Sequence, residues 1–276
     1  MQATPASADF PTLIVDNPAA LQAALPALSS PGAWALDTEF MRVDTYYPRL
    51  CLVQIATADQ VICIDPLAVP DLSPLAPALA DPGRPKLMHA ARQDLEALEA
   101  HGGLRLEGII DTQIAAALLG LPEQVGYAWL VEHYEGVVLD KSQTRTDWSV
   151  RPLSPAQWHY AAQDVVHLPR LWRQMSAALE AAGKRQWLDE ECARLALDDT
   201  PTTAQRVKGI AQCEGQALAV VKACAEQHAI VPTLLATRRE LERLVLGLPT
   251  PRLREGWRAG LLARVIPASA NGEATS

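Results

Sequence analysis

Five residues have types and spacing that could do chemistry together. Asp37 and Glu39 lie two apart in WALDTEF, Asp94 lies in HAARQDLEAL, and Asp164 follows Tyr160 by four positions in HYAAQD. Side chains alternate along a strand, so Asp37 and Glu39 point the same way if WALDTEF is extended. Two carboxylates on one face of a mostly buried strand repel each other and are poorly solvated, and a positive partner usually compensates them. Oxygen ligands suit hard divalent cations such as Mg2+ or Mn2+. A pair of such cations stabilises both the attacking and the leaving oxygen of an in-line displacement at phosphorus. Tyr160 and Asp164 share a helix face, and a phenol there could orient an attacking water. Taken singly these signals are weak. A lone D-x-E is more often a strand end whose acids reach solvent, and a tyrosine at such a position is more often a packing residue. The convergence of three separate acidic segments is what turns the pattern into a site.

Elements able to position these residues are legible along the chain. Ala33–Asp37, Leu50–Ala56 and Val61–Ile64 are short apolar runs bounded by turn residues, and they predict a strand meander. Thr12–Asp16 predicts a first strand, with Asp16 or Asn17 capping a helix over PAALQAALPAL. A short helix is predicted around Leu72–Ala80 in a proline-rich segment, then a strand over Lys86–Ala90 and a helix over Gln93–His101 that stops at Gly102-Gly103. Gly108–Thr112 predicts a short strand, followed by helices at Gln113–Leu119 and Tyr127–Tyr134 and a long helical region from Ser154 to about Leu197. Strands that form a meander and then alternate with helices predict an α/β domain with a mixed sheet over residues 1–197. Asp198–Gln212 is polar and contains Pro and Gly, which predicts a linker. An all-helical unit over 205–266 should follow, with helices at Glu214–His228, Pro232–Leu246 and Arg254–Val265, and a disordered tail over 267–276.

The chain has 276 residues, enough for one large or one large and one small domain. Its five cysteines, Cys51, Cys63, Cys192, Cys213 and Cys224, form no C-x-x-C pair and read as reduced packing residues. No run approaches the roughly 20 apolar residues of a membrane span, and the first residues lack the pattern of a secretory signal. The expectation is a cytoplasmic protein. Nothing predicts an obligate protein partner, so a monomer is expected. Residues 1–190 carry 13 Lys and Arg against 23 Asp and Glu, a net of −10, whereas residues 191–276 carry 11 against 9. That balance argues against a strong duplex binder. Bound cations would offset part of the acidic excess, and Arg42, Lys141, Arg145 and Arg151 could line a path for phosphates.

These motifs resemble those of the ribonuclease D family, within the DEDD superfamily of 3′-to-5′ exonucleases. LDTEF resembles the first exonuclease motif and is followed by the R-x-x-T-Y-Y-P-x-L-x-L-x-Q run, here Arg42 to Gln54. HAARQDLEAL resembles the second motif, and YAAQD the third in its tyrosine form; Leu139 to Gln157 resembles the stretch before it. The resemblance covers roughly residues 12–190 and implies a ribonuclease H-like fold. It implies Asp37, Glu39, Asp94 and Asp164 as ligands of two divalent ions, Mg2+ or Mn2+, with Tyr160 positioning water. It also places Thr38 and Phe40 near the substrate's terminal nucleotide. His89 would contact substrate or buttress Asp94, and Lys141 could reach a phosphate. His159 stands five residues before Asp164, the spacing of the superfamily's histidine subgroup, but the surrounding stretch favours Tyr160. The C-terminal helices resemble an HRDC-type region, shortened to one unit where the family commonly has two.

The implied activity is metal-dependent trimming of RNA 3′ ends to 5′-mononucleotides, with tRNA precursors as the implied substrate. A single-strand DNA exonuclease and a catalytically silent RNA-binding adaptor are the alternatives left open by sequence, since discrimination between RNA and DNA rests on contacts to the 2′-hydroxyl.

Overall fold

The computed structural model describes residues 10–29, 31–41, 48–122, 124–144, 146–195, 210–245 and 250–262. The strands are β1 (Thr12–Val15), β2 (Trp34–Met41), β3 (Arg49–Ala56), β4 (Val61–Ile64), β5 (Lys86–Met88) and β6 (Ile109–Asp111). They form one sheet in the order β1-β4-β3-β2-β5-β6. The meander β2-β3-β4 is antiparallel, while β1 joins β4, and β5 and β6 join β2, in parallel. The sheet is therefore mixed, as the alternation of elements predicts.

Helices cover both faces. On one side lie α1 (Pro18–Leu28), a 3-10 turn (Ser73–Leu75) that runs into α2 (Ala76–Leu79), and α3 (Arg92–Ala100), packed on Trp34, Leu36, Val53 and Ile55. On the other lie α4 (Thr112–Leu118), α5 (Tyr127–Glu135), α6 (Pro155–Val166) and α7 (Leu168–Ala181), packed on Ala35, Leu52, Ala56 and Leu87. Strand alternation sends Asp37 and Glu39, which lie between Ala35 and Met41, to this second face. Their neighbours Thr38 and Phe40 go to the first. A register shift between Glu39 and Phe40 pairs them with Leu52 and Leu50, so Cys51 is the extra residue of a bulge beside the acidic pair.

Two features set the helix that carries Tyr160 and Asp164. Ser154 and Gln157 form a capping box: Gln157 N donates to Ser154 Oγ at 3.2 Å, and Ser154 N donates to Gln157 Oε1 at 2.8 Å. Arg151 fastens the preceding loop to the sheet. Its guanidinium donates to both Asp65 carboxylate oxygens at 2.6 and 2.8 Å, and to the carbonyls of Cys51, Trp148 and Val150. All five of its N–H groups are used. The expectation that Arg151 lines a phosphate path is thereby corrected, since the side chain has no donor left over. Arg42 and Arg145 lie outside the described residues.

The long helical region breaks into three: α6, α7 and α8 (Arg185–Leu195). Pro169 in the first turn of α7 cannot continue the ladder of α6, and Gly183 takes a left-handed φ of 66° before α8. Then come α9 (Ile210–Gln227), α10 (Pro232–Leu235), α11 (Arg238–Val245), α12 (Pro251–Arg254) and α13 (Gly256–Leu262). The helix expected over Pro232–Leu246 is split because Thr237 and Glu240 cap α11 afresh, with Thr237 N donating to Glu240 Oε2 at 2.7 Å. The expected tail over 267–276 and most of the expected linker lie outside the described residues.

The C-terminal helices are fastened to α4 and α8 by buried charge. Lys184 donates to the carbonyls of Leu118 at 2.8 Å, His228 at 2.6 Å and Ala229 at 2.9 Å, so its three N–H groups meet three acceptors. Gly120 makes the approach possible: it has a φ of +77°, and a Cβ there would meet Ala229 O at 3.0 Å. Nearby, Glu191 of α8 pairs with the fully buried Arg258 and accepts Trp257 Nε1 at 2.9 Å. Removing one partner from such a contact strands the others. Lys184→Met, which keeps the stem but leaves three carbonyls without a donor, should cost roughly 1–3 kcal/mol. The urea midpoint should fall with little change in slope; an unchanged midpoint would show that the ammonium does not hold this junction.

Candidate metal centre

The sheet and α6 bring three carboxylates together. Oxygen atoms of Asp37, Glu39 and Asp164 all lie within 4.8 Å of one another. The first two come from adjacent same-face positions of β2, and the third from the face of α6 that packs over β2 and β3. Each residue is partly buried.

Asp94 reaches the same place from the other side of the sheet. It is 6 % exposed, in the first turn of α3, and accepts a hydrogen bond from Thr38 Oγ1 at 2.5 Å. Its charge acts on Asp37 and Glu39. The turn that aims it is unusual. Ala90, between β5 and α3, has a φ of +57°, a left-handed conformation disfavoured for any residue with a Cβ. Asp111 holds that turn in place, accepting Ala90 N at 3.0 Å and Ala91 N at 2.9 Å while also capping α4 through Gln113 N at 2.8 Å.

Burial and mutual repulsion govern the protonation of the set. Burial pushes the Glu39 carboxyl up to about 9, helped by Asp164 and Asp94. Asp37 is raised well above the ordinary carboxylate range by burial first and then by Asp94, Asp164 and Glu39. Burial raises Asp94 and Asp164 to about 7 each, opposed by the hydrogen bond from Thr38 on Asp94 and by the Tyr160 phenol near Asp164. Without a cation, then, the four cannot all carry charge near neutral pH. An all-oxygen donor set with this unmet demand for positive charge fits hard divalent ions.

Tyr160 lies on α6 beside this cluster. Its phenol oxygen lies 3.3 Å from Thr144 Oγ1 and near enough to Asp164 to favour that carboxylate's charged form. Burial, then Asp164, raises the phenol to about 12, so it stays neutral across the physiological range. His159 points to solvent on the same helix. His167 is buried and joins Glu135 at 2.9 Å and Gln163 at 3.3 Å.

The remaining candidates fall in different places. The Thr38 hydroxyl is committed to Asp94, and Phe40 packs against the core on the α1–α3 side. His89 is engaged by both ring nitrogens, with Thr112 Oγ1 at 3.0 Å and the Val125 carbonyl at 3.0 Å. Lys141 is exposed, in the loop between α5 and α6; its carbonyl accepts the Thr144 hydroxyl at 2.9 Å. Sequence reasoning missed Asp111 and Thr144. Asp111 had a visible signal as an N-cap before a helix, whereas its grip on Ala90 and Ala91 depends on β5 pairing with β6.

Comparison with known proteins places this arrangement. The 3′-5′ exonuclease family matches residues 12–180. A curated ribonuclease D of Acidiphilium cryptum (strain JF-5) is 36% identical over 272 residues, which are 96% of this chain and 67% of that protein. The crystal structure of Escherichia coli RNase D, described as an exoribonuclease involved in structured RNA processing, superposes with a TM-score of 0.66 at 30% identity, covering 92% of this chain and 73% of that one. Trypanosoma brucei RNase D in complex with RNA U12 gives a TM-score of 0.60 at 25% identity, covering 72% and 68%. The fold and its acidic cluster are those of a 3′-5′ exonuclease domain, and the chain belongs to the ribonuclease D family. It spans about half the length of most of the curated relatives it matches.

The raised carboxyls make stability depend on pH. Glu39 titrates near 4.5 in an unfolded chain and near 9 here, and Asp94 and Asp164 move from 3.8 to about 7. The folded chain thus keeps protons that the unfolded chain has lost, so stability is full below the unfolded values and declines as pH rises through the folded ones. In chelator, Tm should fall between about pH 5 and pH 9, and saturating Mn2+ should remove most of that fall. A Tm that is flat or rising over this window in chelator would contradict the assigned burial of the carboxylates.

Proposed function

We propose that this chain is a metal-dependent 3′-5′ exoribonuclease that removes nucleotides one at a time from RNA 3′ ends and releases 5′-mononucleotides. The observation that carries the reading is the meeting of Asp37, Glu39 and Asp164 on one side of the sheet with Asp94 from the other, beside the Tyr160 phenol. Membership of the ribonuclease D family, and an RNA complex among the family's solved structures, support RNA as the substrate. Structured RNA is supported by the description of the E. coli relative. Among such molecules we favour tRNA precursors with extra 3′ residues.

In this reading Asp37, Glu39, Asp94 and Asp164 hold two divalent ions, Mg2+ or Mn2+. Such a pair supplies the positive charge that the trigonal-bipyramidal transition state at phosphorus requires. The chain's own residues do the rest. Thr38 fixes one oxygen of Asp94, and Asp111 fixes the turn that presents it. The Tyr160 hydroxyl, kept neutral, orients the attacking water without acting as its base at neutral pH. Water adds to the last phosphodiester, the bond from phosphorus to the 3′ oxygen breaks, and the penultimate nucleotide keeps a 3′ hydroxyl. Thr38 and Phe40 remain proposed neighbours of the terminal nucleotide, His89 a proposed substrate contact or buttress of Asp94, and Lys141 a proposed contact to a phosphate. The nuclease unit is taken as residues 1–197 and the helical, HRDC-like unit as 205–266, which would help grip the RNA. We take the chain to act as a monomer in the cytoplasm; no helix among the described residues is long and apolar enough to cross a membrane.

The test uses 5′-labelled single strands of one sequence, made as RNA and as DNA, with Mg2+, Mn2+ or chelator. A metal-dependent ladder shortening from the RNA 3′ end is expected. Asp164→Asn should abolish it with folding intact, and Tyr160→Phe should slow it by roughly 10²-fold or more. Shortening of DNA alone would overturn the substrate, RNA binding without cleavage would overturn the activity, and full turnover by Asp164→Asn would overturn the site.

A further inference from the structure

Gln54 lies beside the carboxylates with both ends of its side chain unpaired. It is fully buried, at 0 % exposure, and neither its amide nitrogen nor its amide oxygen has a hydrogen-bond partner. Leaving both ends of a buried amide unpaired is costly, and native chains rarely do so without a use for the group. Its position supplies the use. Gln54 on β3 stands directly opposite Asp37 on β2, and directly opposite Cys63 on its other side. Residues opposed across an antiparallel pair project from the same face with Cβ atoms roughly 4.5–5.5 Å apart. Gln54 therefore shares the face of Asp37, Glu39 and α6. The Cys63 thiol is pushed up to about 12 by burial alone, which marks that flank as apolar. The small, buried Ala161 and Ala162 of α6 also border this core. Asp37 is the strongly polar neighbour that the strand register offers.

We propose that Gln54 is a positioning residue of the metal centre: its amide N–H hydrogen-bonds the Asp37 carboxylate when that carboxylate holds a cation. The two residues are matched for this. Glutamine is one methylene longer than aspartate, so from the neighbouring strand its amide reaches as far as the carboxylate it faces. An amide donor is neutral, so it orients the ligand without competing with the cation for its charge. Hydrogen bonds to metal-ligating carboxylates fix which oxygen faces the ion, and their loss typically weakens binding by 10- to 100-fold. An amide is kept unpaired inside an otherwise apolar strand because its partner is the charged, cation-bound form of Asp37.

This inference rests on the metal-centre reading, and the test separates the two. Mn2+ is titrated into the whole chain and followed by the electron paramagnetic resonance of free Mn2+, in parallel with Tm in chelator. The variant is Gln54→Met, an apolar side chain of nearly the same length and volume. Mn2+ binding weakened about tenfold or more, with a metal-free Tm equal to or above that of the parent, supports the proposal. That combination is not what a packing role would give. Binding within twofold of the parent overturns it, as does a loss of affinity that accompanies a lowered metal-free Tm. If the parent chain itself binds no Mn2+ saturably, the metal-centre reading falls first. Should Gln54→Met fail to fold, Gln54→Asn, whose amide stops one methylene short of Asp37, carries the same comparison: a tenfold loss with an unchanged metal-free Tm supports the proposal, and binding within twofold overturns it.

Discussion

Four carboxylates crowded into a recess that water reaches poorly are the constraint on which the rest of the site depends. Burial and mutual repulsion both push Asp37 and Glu39 toward their neutral forms, and burial does the same to Asp94 and Asp164. A fold gains nothing by this arrangement on its own, because charge buried without a partner destabilises. The arrangement makes sense as half of a structure whose other half is cationic. The surrounding residues answer the same need: Thr38 places a hydroxyl on Asp94, the Tyr160 phenol lies beside Asp164, and Asp111 locks a strained turn rather than letting it relax.

The sheet lets these groups meet although they lie far apart in sequence. Asp37 and Glu39 project to the α6 side, and Asp164 comes down on them from α6. Thr38, between them, projects to the opposite side and there meets Asp94 from α3. One short strand thus serves both layers at once. The parallel strand β5 ends at Met88, beside β2, and the turn that follows it carries the chain into α3. Asp111 at the end of β6 and the capping box at Ser154 fix the phase of the two helices that deliver the remaining carboxylates. Rigid elements hold all four carboxylates, the condition under which an electrostatic site can be set in advance.

Much of this was legible from residues alone. The meander showed itself as apolar runs between turns, and Asp37 and Glu39 showed a shared face through simple alternation. The motifs around Asp94 and Asp164 carried the resemblance that linked the three segments. Other features were not legible because they arise only from pairing across long separations. The glutamine that closes the R-x-x-T-Y-Y-P-x-L-x-L-x-Q run shows no task of its own until the register sets it against Asp37. Arg151 reads as a phosphate ligand until Asp65 and three carbonyls are seen to exhaust its donors. The long helical stretch after Ser154 kept its apolar spacing through two breaks, and only Pro169 and Gly183 signalled them. Lys184 gave no sign that it ties α4 and α9 together, since its three acceptors are backbone carbonyls.

The central claim is that divalent cations replace protons on this carboxylate set. Calorimetric titration of Mg2+ near pH 7, repeated in buffers of different ionisation enthalpy, counts the protons released on binding. With Glu39 near 9 and Asp94 and Asp164 near 7, saturable binding should expel about one proton or more per chain. Asp164→Asn should lower both the affinity and the count. Binding whose heat is the same in every buffer would contradict the account, because it would mean that the carboxylates are already ionised and that the cation displaces nothing.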